Sequence, residues 1–63
     1  MIINGREYQI INSTMESILK NFELDISKVV VELNGEILDK NEYETRVIDK
    51  ESSIEIVAFV GGG

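Results

Sequence analysis

The sequence predicts an α+β fold, with one helix packed across one face of a mixed sheet of four to five strands. Three observations predict it. Two Asn-Gly pairs, Asn4-Gly5 and Asn34-Gly35, sit between β-rich runs. They mark two-residue hairpins, because both central positions of a type I′ turn take positive φ. Between them lies one stretch with helical apolar spacing, with Met15, Ile18, Leu19 and Phe22 at i, i+3, i+4 and i+7. Residues 54–60 form the most apolar run and read as a central strand.

Met1–Ile11 is expected to be the first hairpin. Ile2 and Ile3 are β-branched, and beyond the turn Tyr8 and Ile10 alternate with Glu7 and Gln9 as in a half-buried strand. Ser13 is the expected helix N-cap, with Glu16 three residues on completing a capping box. The helix puts Glu16, Ser17, Lys20 and Asn21 on its wet side, and Leu24 closes its end against the core. Val29–Leu33 reads as a strand with Val31 and Leu33 inward and Glu32 outward, and Glu36–Leu38 as its return. Asp39–Glu44 is a polar turn around Tyr43, a packing residue. Val47-Ile48 is a brief extended piece, and residues 49–53 form a polar turn. In the last strand, Ile54, Ile56, Ala58 and Val60 share the face expected to be covered, and Glu55, Val57 and Phe59 share the other. The order is β-β-α-β-β-β. A last strand paired in parallel beside the first needs a right-handed crossover, and the result is a β-grasp. Residues 1–60 are expected to form one such domain, and residues 61–63 a flexible glycine tail.

Composition restricts the chemistry. The chain has 63 residues, enough for one small core. It contains no Cys and no His, which excludes a thiolate nucleophile, an imidazole base and a His/Cys zinc site. No catalytic residue and no metal ligand is assigned. Six Lys+Arg against 12 Asp+Glu give a net charge of -6, so neither nucleic acid nor an anionic membrane surface is an expected partner. Apolar residues at 43% and charged residues at 29% fit a globular chain. No apolar run approaches the length that spans a bilayer, and Met1–Glu7 lacks the basic and apolar regions of a signal peptide. A cytoplasmic location is expected. Glu32, Glu36, Asp39, Glu42 and Glu44 read as solvated surface charge, able to steer a basic partner surface. An acid–base pair would need a cleft with split pKa values, which so small a chain has little room for.

With few reactive side chains, attention moves to the main chain. The last strand runs into Gly61-Gly62-Gly63. Glycine backbone enters a channel too narrow for any side chain, and it leaves the Gly63 carbonyl open to attack. A partner enzyme could draw in Gly61 and Gly62 and activate the Gly63 carboxylate as an acyl-adenylate, from which sulfur displaces the nucleotide to leave a thiocarboxylate. Val57 and Phe59, on the open sheet face just upstream, form an apolar patch suited to docking that partner. A plain acidic interaction module with an inert tail is the alternative from another class.

These features coincide in a known family. Val31-Glu32-Leu33-Asn34-Gly35-Glu36-Ile37-Leu38, then Tyr43, then Ile54-Glu55-Ile56-Val57 running into Phe59-Val60-Gly61-Gly62-Gly63 resembles the ThiS family, ubiquitin-like sulfur carriers of bacterial thiamine biosynthesis. The resemblance covers essentially the whole chain, and the ending is its most specific part. It implies a β-grasp carrier that is not itself an enzyme and binds no cofactor. A ubiquitin-activating-type adenylyltransferase, using ATP and magnesium, would adenylate Gly63. A donor system such as a cysteine desulfurase would supply sulfur, and thiazole synthase would take it from the thiocarboxylate. The small subunit of molybdopterin synthase has the same fold, ending and chemistry and is the alternative within the class. Three turns depart from the family pattern: Ile11-Asn12-Ser13 where a glycine is usual, Asp39 where proline is frequent, and Lys50-Glu51-Ser52-Ser53 where relatives often have Gly-Asp.

Overall fold

The computed structural model describes residues 1–59 of the chain. Strands β1 (Ile2–Ile3) and β2 (Arg6–Glu7) pair antiparallel, Ile2 opposite Glu7 and Ile3 opposite Arg6. Asn4 and Gly5 take φ of 51° and 81°, the conformation expected of the turn. The second strand is shorter than its alternation implies. Tyr8 N–H donates to Met1 O at 2.8 Å, and Gln9 to Asn12 pair with no strand. Tyr8 and Ile10 nonetheless pack on the core.

A short strand β3 (Ser13–Thr14) precedes the helix and pairs with β6 (Val47–Ile48) in a separate two-stranded sheet. The expected capping box of Ser13 and Glu16 does not form. Ser13 is held extended opposite Ile48, and its hydroxyl donates to Ile11 O. The cap is Thr14, whose Oγ1 accepts from Ser17 N–H at 3.2 Å. The Glu16 N–H goes to Tyr43 O instead.

Helix α1 (Met15–Asn21) buries Met15, Ile18 and Leu19 completely, with Phe22 half-buried beside them. Its end is a Schellman motif. Glu23 sits at φ 58°, Glu23 N–H donates to Lys20 O, and Leu24 N–H donates to Leu19 O. Leu24 thereby packs on the core, as expected.

Strand β4 (Val29–Leu33) alternates as read, with Val29, Val31 and Leu33 buried. Asn34 and Gly35, at φ 51° and 89°, turn it into β5 (Glu36–Ile37). A 3₁₀ turn over Lys40–Glu42, capped by the Asp39 carboxylate, delivers Tyr43 into the core at 2% exposure. Burial pushes the Tyr43 phenol pKa up, against a smaller opposing effect of a hydrogen bond with the Val31 backbone.

Strand β7 (Ser53–Ala58) lies in the centre of the larger sheet, whose order is β2-β1-β7-β4-β5. It runs parallel to β1 and antiparallel to β4. This mixed sheet with one helix on one face is the expected α+β β-grasp arrangement. The covered face, however, fades along β7. Ile54 is buried, Ile56 half-buried and Ala58 exposed, where Ala58 was expected under cover. A seven-residue helix spans only about 10 Å, whereas six strand residues run about 20 Å. Val60, assigned to the same face, lies outside the described residues. Among the described residues no helix is long and apolar enough to cross a membrane.

Candidate functional site

The expected reactive residues Gly61, Gly62 and Gly63 lie outside the described residues. The structure defines the platform that leads to them. Strand β7 pairs with β4 in continuous register, from Leu33 opposite Ile54 to Val29 opposite Ala58. One more rung follows, with Phe59 N–H donating to Lys28 O at 2.9 Å. The chain is therefore held by main-chain hydrogen bonds as far as Phe59, the last described residue.

Register decides what surrounds Val57 and Phe59. Residues opposite each other in a ladder point to the same face, so Val57 shares the open face with Val30, its direct partner. Val57, Phe59 and Val30 are 57%, 40% and 38% exposed, and Phe59 continues the alternation next to Val57. The expected pair thus forms one patch with Val30, which the sequence reading had not included. Alternation along β4 alone does show that Val30 faces away from Val29 and Val31, and that was the available signal.

The next row of the same face is acidic. Glu32 stands directly opposite Glu55, and among the described residues neither is in an ion pair. Of the acidic residues singled out, Glu42 pairs with Arg46 at 3.4 Å on the surface. Asp39 caps the turn after β5. None is buried, and the described residues contain no group of three arranged to hold a metal ion. The arrangement offers apolar contact edged by negative charge.

The β1 edge of β7 is held differently. Ile2 and Ile3 pair with Ser53 and Ile54, and then β1 turns away at Asn4. The Asn4 carboxamide takes over. Its Oδ1 accepts from Ile56 N–H at 2.7 Å and its Nδ2 donates to Ile56 O at 3.2 Å. Asn34 plays a related part at the other end of β7, its Oδ1 accepting from Ser53 N–H at 2.9 Å. On the helix side, where cover runs out, Tyr8, Phe22, Leu24, Ile56 and Ala58, together with Asn4 and Arg6, line a largely apolar cleft of about 350 Å³. Tyr8 and Phe22 meet edge to face there, at 5.2 Å between centroids.

The model of the ThiS family matches residues 1–63. The chain belongs to the ThiS family. This is the sulfur-carrier family of thiamine biosynthesis that the sequence resembles. A protein named sulfur carrier protein ThiS in Bacillus subtilis is 35% identical over 63 residues, covering 97% of this chain and 96% of that one. A thiazole synthase of Paramagnetospirillum magneticum is 41% identical over 64 residues, all of this chain but only 20% of that protein. The crystal structure of the thiamine biosynthesis protein ThiS of Geobacter metallireducens superposes with a TM-score of 0.75. It covers 98% of this chain and 96% of that one at 24% identity, a likeness of fold. The ThiS fold thus agrees with the β-grasp derived above, and the sheet-plus-helix platform is the family's.

Proposed function

We propose that this ThiS-family chain carries sulfur on Gly63 for thiazole formation in thiamine biosynthesis, as a protein substrate acted on by partner enzymes. In this reading a Gly63 carboxylate oxygen attacks the α-phosphorus of ATP in a ubiquitin-activating-type adenylyltransferase, with magnesium, and pyrophosphate leaves. The terminal sulfur of a persulfide from a donor such as a cysteine desulfurase then attacks the acyl carbon, and AMP leaves. A partner thiol cleaves the S–S bond of the acyl disulfide so formed, pairing with the donor cysteine as a disulfide and releasing the thiocarboxylate. Thiazole synthase takes sulfur from the resulting thiocarboxylate. The chain supplies no nucleophilic thiol and no imidazole, so both activation and sulfur come from partners. Gly61 and Gly62 serve as the side-chain-free segment that reaches the partner's active site.

Family membership over the whole chain carries this reading. Two features support it. The strand preceding the glycines is tied into the sheet as far as Phe59, and Val57, Phe59 and Val30 offer an apolar docking patch beside it. The relative named thiazole synthase contains a region like this chain within a protein about five times longer, which supports a thiazole synthase as partner.

The test is intact-mass measurement after incubation with the adenylyltransferase, ATP, magnesium and a sulfur source. The expected result is exchange of one oxygen for one sulfur, lost on deletion of Gly63. No mass change, with an enzyme shown to be active on another carrier, would leave an interaction module with an inert tail.

A further inference from the structure

We infer that Asn4 is a positioning residue for the carrier's reactive end, clamping β7 at the point where its neighbouring strand has left. The inference rests on the sulfur-carrier reading for its functional half and on geometry alone for its structural half.

Strand β7 has two edges. On the β4 edge, main-chain rungs continue to Phe59. On the β1 edge, strand pairing stops at Ile54, and the last backbone bond is Asn4 N–H to Ile54 O at 2.8 Å. Without a further partner, the Ile56 N–H and C=O on that edge would be left to solvent. The Asn4 side chain satisfies both with one amide. A primary carboxamide carries a donor and an acceptor, and here it stands in for the next residue of a parallel strand. Its backbone is fixed by the type I′ turn at φ 51°, so the clamp is preorganised. It acts at Ile56, three residues before Phe59, and with the Phe59–Lys28 rung on the other edge it fixes the course of the strand as far as Phe59. A carrier whose terminal carboxylate must reach a partner's catalytic centre depends on that course, because small misplacements at a reacting centre cost large factors in rate.

Asn34 provides an internal control. It has the same residue type, turn type and φ, and its side chain also holds a β7 amide, but at Ser53, the end remote from the glycines. Glycine adopts the turn conformation at either site, so Asn4→Gly and Asn34→Gly each remove a clamp while keeping the hairpin. Amide hydrogen exchange by NMR on the free chains gives the first readout. Asn4→Gly should speed exchange of the Ile56 amide by about tenfold or more, and Asn34→Gly should act at Ser53 instead. Steady-state pyrophosphate release with the adenylyltransferase gives the second. Asn4→Gly should raise KM for the carrier about 5- to 10-fold with kcat little changed, and Asn34→Gly should leave KM near that of the parent chain. Asn4→Asp keeps the Oδ1 that accepts from Ile56 N–H and tolerates the turn. It should restore most of the Ile56 protection and of the KM, and it decides the matter if Asn4→Gly does not fold. Unchanged Ile56 exchange in Asn4→Gly, or an equal KM rise in Asn34→Gly, overturns the inference. If the parent chain is not adenylated at all, the carrier reading fails, while the exchange data still decide the clamp.

Discussion

Glu23 shows how one residue carries a conformational cost that the rest of the fold outweighs. It ends the helix at φ 58°, a region that costs a residue with a Cβ about 1 kcal/mol or more. The Schellman bonds it completes and the packing of Leu24 hold it there. Its side chain is exposed, so Glu23→Gly removes no core contact. The expected gain is about 0.5–1 kcal/mol after allowing for the greater freedom of glycine in the unfolded chain, seen as a rise of a few degrees in Tm. An unchanged or lower Tm would mean that the Glu23 side chain itself contributes. Tyr43 gives a prediction in pH. Its folded pKa is raised above the ordinary 10.0, chiefly by burial. Between those two values the unfolded chain has lost the proton and the folded chain retains it. This contribution to stability is therefore complete below about pH 10 and is lost as pH rises through the folded value. Urea unfolding across pH 9 to 11, about that range, should show a steeper fall for the parent chain than for Tyr43→Phe. Equal slopes would show that other groups govern alkaline unfolding.

At the scale of elements, strand register fixes the surface. Glu32 opposite Glu55 places like charges on one rung, which opposes pairing of β4 with β7. Glu55→Lys turns repulsion into attraction and should stabilise the chain by about 0.5–1 kcal/mol, less at high salt. If the acidic row also faces a partner, the same variant should bind the adenylyltransferase more weakly despite its greater stability. Stability and affinity moving together would remove the acidic row from the docking surface. Much at this scale was legible in the sequence. Both Asn-Gly hairpins, the apolar helix face and the central strand announce themselves through local spacing. What escaped depends on partners far along the chain. Strands β3 and β6 have two residues each, too short to show a period. Ser13 and Thr14 are both cap-forming residues and both lie in the ladder with β6. What decides between them is that the Glu16 N–H is taken by the distant Tyr43 O, while Thr14 Oγ1 accepts from Ser17 N–H. Two turns far apart in the chain also meet: Asn12 Oδ1 accepts from Lys50 N–H at 2.7 Å. The Asn12 side chain ties those turns to each other.

For the molecule as a whole, strand alternation in the sequence already puts Val57 and Phe59 on the face away from Ile56 and Ala58, and the structure leaves both exposed there. Alternation does not show the clamp by Asn4, whose partner is 52 residues away. On the sulfur-carrier reading the scaffold and the glycine end have separable tasks, and these predict different failures. Val57→Asp and Phe59→Ser alter the exposed patch while leaving the buried set of Met15, Ile18, Leu19 and Ile54 intact. Together they should raise KM for the carrier in adenylation by about 10- to 30-fold, the size of a lost apolar hot spot. Deletion of Gly63 should abolish turnover but spare the patch. The deleted chain should consequently compete with the intact one, inhibiting adenylation at concentrations near the KM of the intact carrier. Combining the deletion with the two patch substitutions should remove that inhibition, because docking and reaction use different parts of the chain. If the Gly63-deleted chain fails to compete, the terminal residue itself supplies the binding energy, and the sheet face serves only to carry it.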